Sequence, residues 1–139
     1  MSTTNTTLSF ARAALAVFAL TATFAFGGEP RFEGAIFSND KRSDVNMETF
    51  PPDTKKIYLT VHVEDVPNDA KLKATWFVEN AGAFKNTLIA SSDVTMRPQM
   101  KTATYSLDKP GIGWPPGDYK VELAIDNKVQ STVRFKVSK

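Results

Sequence analysis

Residues able to do chemistry are few in this chain, and their spacing argues against a catalytic centre. His62 is the only histidine, and a histidine can carry a proton near neutral pH. Acid–base catalysis would need a carboxylate or nucleophile held against it, and no such constellation surrounds it. Glu64, Asp65 and Asp69 gather near one expected turn, and Asp40 and Asp44 near another. Calcium takes about six to eight oxygens, commonly from a loop with regular acidic spacing. Neither cluster has that spacing, so these residues read first as turn formers and solubilising groups, with a weak calcium site as the alternative. Cysteine is absent, which excludes disulfides and thiolate-bound zinc or iron–sulfur groups. No glycine-rich phosphate cradle, His-Glu-x-x-His pattern or serine elbow occurs. The expectation is a non-enzymatic protein with no catalytic residue, no metal ligand and no cofactor.

Aromatic residues offer a different chemistry, that of contact. Trp114 lies between Gly111-Ile112-Gly113 and Pro115-Pro116-Gly117. In such a loop it either stands out to stack on a sugar ring or a partner protein, or folds back to cover an end of the core. Tyr58 and Phe77 each sit among polar residues of an alternating segment. If their strands are neighbours, they form an aromatic patch flanked by Lys56, Lys71 and Lys73. Nucleic acid is not an expected partner: lysines are scattered among acidic residues, with no dense basic tract.

The elements that must carry these residues are strands. Ile57, Leu59, Val61 and Val63 alternate with Lys56, Tyr58, Thr60 and His62, the period of a strand with one face buried. Leu72 to Val78 repeats the pattern with Trp76 inward and Phe77 outward. Tyr119, Val121, Leu123 and Ile125 face one way, as do Val129, Ser131, Val133, Phe135 and Val137, across a short Asp126-Asn127-Lys128 turn that predicts a hairpin. Weaker strands are expected over Phe32 to Phe37, Lys85 to Ser91 and Gln99 to Leu107, with an irregular edge segment at Val45 to Phe50 ended by Pro51-Pro52. About seven one-faced strands bury their apolar sides most simply as two packed antiparallel sheets. A closed barrel is the competing arrangement.

Of the 139 residues, 42% are hydrophobic and 23% charged, an ordinary globular balance that leaves little room for long disorder. The 17 basic and 15 acidic residues are too nearly balanced to name a partner. Residues 1–27 differ from the rest. A polar start and Arg12 precede the apolar run Ala13 to Phe26, and Gly27-Gly28-Glu29-Pro30 breaks it. This is the pattern of a secretory leader, cut after Gly27 or after Ala25. An uncleaved anchor and a structural helix are the alternatives, but the run is apolar on all sides and short for a span. The expected organisation is a leader over 1–27, a short segment over 28–31 and one domain over 32–139.

Trp76 in mid-strand on an inward face, Tyr119 opening the penultimate strand, and the run Trp114-Pro115-Pro116-Gly117-Asp118-Tyr119 before alternating β-formers form a recognisable set. It resembles bacterial immunoglobulin-like and fibronectin type III-like modules over roughly Phe32 to Val137. The resemblance implies a core tryptophan at Trp76 and a corner tyrosine at Tyr119 whose hydroxyl returns to the backbone. It implies no ligand, because such modules serve as spacers, adhesins, sugar binders, chaperones and inhibitors. With the leader, it points to a periplasmic or secreted module acting through contacts with an envelope or extracellular protein, as accessory subunit or inhibitor-like factor. The alternative is a carbohydrate-binding module using Trp114 or the Tyr58/Phe77 face. No stable membrane span is expected once the leader is removed.

Overall fold

The computed structural model describes residues 28–139, so the expected leader lies outside the described residues. Eight strands follow in order: β1 Arg31–Ser38, β2 Thr49–Phe50, β3 Lys56–Glu64, β4 Lys71–Ala81, β5 Phe84–Thr95, β6 Thr102–Asp108, β7 Gly117–Ile125 and β8 Lys128–Val137. They form an immunoglobulin-like sandwich. One sheet has the order β1-β3-β6 and the other β2-β8-β7-β4-β5. Two separate sheets exclude the closed barrel.

Alternation along each strand builds the core. Ile57, Leu59, Val61 and Val63 of β3 are buried, and so are Leu72, Ala74, Trp76 and Val78 of β4 and Tyr119, Val121 and Leu123 of β7. Phe135 is the hub of an aromatic cluster. Its ring stacks on Tyr119 at 5.0 Å and meets Phe37, Phe50, Trp76 and Trp114 at centroid distances of 4.9 to 6.3 Å. These separations suit offset or edge-to-face contact, which adds to the burial of each ring. A core closed by rings from both sheets explains how the domain does without a disulfide.

Three segments depart from the expected pattern. β5 runs from Phe84 to Thr95 rather than Lys85 to Ser91, because β4 continues to Ala81 and the turn falls at Gly82-Ala83. The edge segment at Val45 to Phe50 shrinks to two strand residues, Thr49 and Phe50, paired in parallel with Lys136 and Val137. A register shift in the β7–β8 hairpin sets Leu123 against Ser131 and Ala124 against Val129. An added residue there turns the side chains around, so Val129 is exposed at 53% instead of sharing the face of Val133 and Phe135. The hairpin turn itself is as expected, with Asp126 and Asn127 both at positive φ, the geometry that two-residue turns require.

Candidate functional site

Trp114 is 1% exposed and belongs to the core, which corrects its reading as a surface contact. Its indole N–H donates to the Thr54 carbonyl at 2.8 Å, its backbone N–H donates to the Pro52 carbonyl, and its ring stands edge-on to Tyr119 at 5.7 Å. Gly113, at φ +84, supplies the turn that sends the ring inward. The Tyr119 hydroxyl donates to the Pro115 carbonyl four residues upstream, as the corner reading implies. Burial pushes the Tyr119 phenol up to about 12. Trp76 is 1% exposed in mid-strand, also as expected.

The proposed Tyr58/Phe77 patch does not form. Tyr58 lies on β3 and Phe77 on β4, in different sheets. Each points outward between buried neighbours, so the two rings occupy opposite outer faces of the sandwich. The lysines divide with them. The Lys56 ammonium is 6.0 Å from the Tyr58 ring and 3.2 Å from an Asp108 oxygen. Beside Phe77 the cation is Lys120, 5.3 Å from the ring centroid, with Leu88 opposite on β5. Lys71 and Lys73 are engaged further along, on Thr95 and Asn127. Each outer face therefore carries one partly exposed ring from this pair.

The acid–base and metal candidates remain apart. His62 is exposed, and its cross-strand neighbours Gly34 and Thr102 supply neither carboxylate nor second base. Asp65 is occupied by Gly28 and Arg31, and Asp40 caps its own turn by accepting from the Arg42 backbone. Among the described residues no group of three or more His, Asp or Glu is placed to hold a metal ion.

What the fold does assemble is an open flank. β1 and β8 are neighbouring edges of the two sheets, and β2 covers only the last two residues of β8. The Lys136 and Ser138 N–H groups donate to Glu48 and Phe50 on that side. Because strand polar groups alternate in direction, the N–H and C=O of Arg134 and Thr132 face the same way, where no further strand residue pairs with them. The chain that precedes β2 is diverted to β1: the Met47 N–H donates to the Phe37 carbonyl and the Asn46 side chain accepts from the Phe37 N–H.

Beside this free edge lies a cleft of about 630 Å³. Ala35, Phe37, Val133 and Phe135 line it on the apolar side, and its charged lining is mixed, Arg134 and Lys136 with Glu48, Glu79 and Asp118. Arg134 pairs with Glu79 at 3.0 Å, and the guanidinium holds the Glu79 carboxyl below the usual carboxylate range. Lys136 is 3.8 Å from Asp118. β8 itself bears Lys128, Arg134 and Lys136 and no acidic residue. The opposite edge of the same sheet is less regular: in β5, Asn86 sits at φ +45 and a register shift separates Leu88 from Ala90. Such irregularities block further pairing. The β8 edge escaped sequence reasoning because strand order across a sheet is not written in local alternation. One signal pointed to it, the lack of acids in the last strand.

No protein-family model and no curated protein matches the chain. Solved structures share its fold at low identity. An immunoglobulin-like protein from Pseudomonas aeruginosa superposes with a TM-score of 0.55 at 11% identity, over 82% of this chain and 100% of that one. An alkylpurine DNA glycosylase from Pseudomonas fluorescens, bound to DNA with an abasic site analogue, gives 0.50 at 8% identity over 80% of this chain and 31% of its own. A β-glucosidase from Listeria innocua in complex with isofagomine gives 0.49 at 12% identity, and this chain spans 16% of it. At these identities the likeness is one of fold alone.

Proposed function

We propose that this chain is a non-enzymatic, exported immunoglobulin-like module that works through protein contacts in the bacterial envelope, as an accessory subunit or inhibitor-like factor. The observation that carries this reading is the free β8 edge beside a partly apolar cleft. An extended segment of a partner would continue the line of β2, hydrogen-bonding to the backbone of Thr132 and Arg134. Its inward residues would be apolar, to meet Ala35, Phe37 and Val133. Its outward residues would be polar rather than charged, since Thr49 already stands across from Lys136 and Arg134 already pairs with Glu79. Glycan binding through Trp114 loses its basis because that ring is buried.

A photo-crosslinking residue at Thr132, compared with one at Thr104 on the other sheet, tests this in the native cell. The expected result is one envelope protein joined at position 132 through a polar–apolar alternating peptide, and no product at 104. Loss of that product in a Thr132→Pro protein crosslinked from Gln130 would tie it to the strand edge. Equal products at both positions, or retention on glycan with no protein product, would overturn the reading.

A further inference from the structure

The first described residues are tied down in a way that the fold alone does not require. The Gly28 nitrogen lies 3.0 Å from Asp65 Oδ2, at the end of β3. The same oxygen accepts from Arg31 Nη1 at 2.9 Å, while Arg31 Nε reaches Glu33 at 2.7 Å. Arg31 Nη1 also donates to the Glu29 carbonyl, closing residues 28–31 into a clasp. Within it, one cation faces two carboxylates. A Cβ at Gly28 would stand 2.8 Å from Arg31 Nη1 and 2.9 Å from Asp65 Oδ2, so a larger residue there makes one of these side-chain ends shift. Upstream, Ala25 and Gly27 are the small residues a leader peptidase reads before its cut.

We propose that the chain is cut between Gly27 and Gly28, and that the α-ammonium so released docks on Asp65. This inference rests on the reading of residues 1–27 as an export leader. In the cut, water adds across the Gly27–Gly28 peptide bond: the Gly27 carbonyl carbon takes the hydroxyl, and the Gly28 nitrogen takes the proton and leaves. Below about pH 7.7 an α-amine is mostly protonated. The new group brings a second cation to two carboxylates, and the nitrogen that carries it is already within hydrogen-bond reach of one of them. A cut after Ala25 would instead leave Phe26 and Gly27 ahead of Gly28 and carry the charge away from Asp65. The site is thus both a processing point and a seat for the group that processing creates.

The test is made on the protein purified from its own cells with a tag after Lys139. Mass spectrometry reads the first peptide, and the rate of α-amine acylation at pH 7 is compared with that of Asp65→Asn and Asp69→Asn proteins. The expected result is a chain beginning at Gly28 whose amine reacts several-fold faster in Asp65→Asn and unchanged in Asp69→Asn. A chain beginning at Phe26, or a rate indifferent to Asp65, would overturn the inference while leaving export intact. A chain that still begins at Met1 would overturn the leader reading itself.

Discussion

The indole nitrogen of Trp114 donates to the Thr54 carbonyl at 2.8 Å, joining the loop before β3 to the loop before β7, sixty residues apart in sequence. The bond ties the ends of two strands that lie in different sheets, and the ring beneath it closes the core against Tyr119 and Phe135. Removing the nitrogen while keeping a ring leaves the Thr54 carbonyl without its partner. Trp114→Phe should therefore cost about 1–3 kcal/mol. Trp114→Ala, which also opens a cavity, should cost about 3–5 kcal/mol. Urea unfolding followed by circular dichroism separates the two, and a Trp114→Ala protein of unchanged stability would return the ring to the surface.

Phe135 touches more rings of the core than any other aromatic residue described, and it is 2% exposed. Phe135→Ala should destabilise the domain by about 3–5 kcal/mol. Phe135→Leu retains much of the volume and should cost clearly less. Since a domain of this kind has only about 5–15 kcal/mol in hand, the alanine protein should melt well below the parent in a thermal scan.

Proline scanning of β8 distinguishes its two edges. The N–H of Thr132 faces the open flank, whereas the alternation directs that of Val133 toward Val121 on β7. Proline is tolerated where a strand N–H faces solvent and disruptive where it removes a ladder bond. Thr132→Pro should stay within about 1 kcal/mol of the parent, and Val133→Pro should lose about 3 kcal/mol or more. Equal losses would mean that the flank is not open.

Alkaline pH should unfold the protein through its buried phenols. Burial raises the Tyr105 phenol well above its ordinary value, with the nearby Asp93 charge adding to the effect, and raises Tyr119 to about 12. In both cases the folded state holds its proton where the unfolded chain has lost it. Their contribution is complete below about pH 10 and declines as the pH rises toward the folded values, by about 1.4 kcal/mol per pH unit for each tyrosine. Tyr105→Phe should make the decline shallower, at the cost of the hydrogen bond to the Leu72 carbonyl. Denaturant midpoints measured at pH 9, 10.5 and 11.5 give the slope directly.

Much of the fold was legible in the chain. The alternation over Ile57 to Val63, Leu72 to Val78 and Tyr119 to Ile125 placed three central strands with the correct faces inward, because burying one side of a strand forces a period of two on its sequence. Trp76 found its expected core position for the same local reason, and Tyr119 took the corner position that the resemblance implied. The contact residues were less legible. Trp114 sits in a Gly/Pro loop that permits either direction, and only the carbonyl of Thr54 and the rings of Tyr119 and Phe135 decide that it turns inward.

By itself, then, the sequence determined that the domain is all-β without disulfides, which faces of its central strands turn inward, and where the last hairpin turns. These properties follow from periods and turn residues that act over a few neighbouring positions. The tertiary structure alone decided that Tyr58 and Phe77 lie on opposite outer faces, that β8 keeps a free edge beside a cleft, and that Gly28 rests on Asp65. Those relationships depend on which strands become neighbours, and that choice is made by the packing of whole faces across long stretches of chain, where no local pattern can record it.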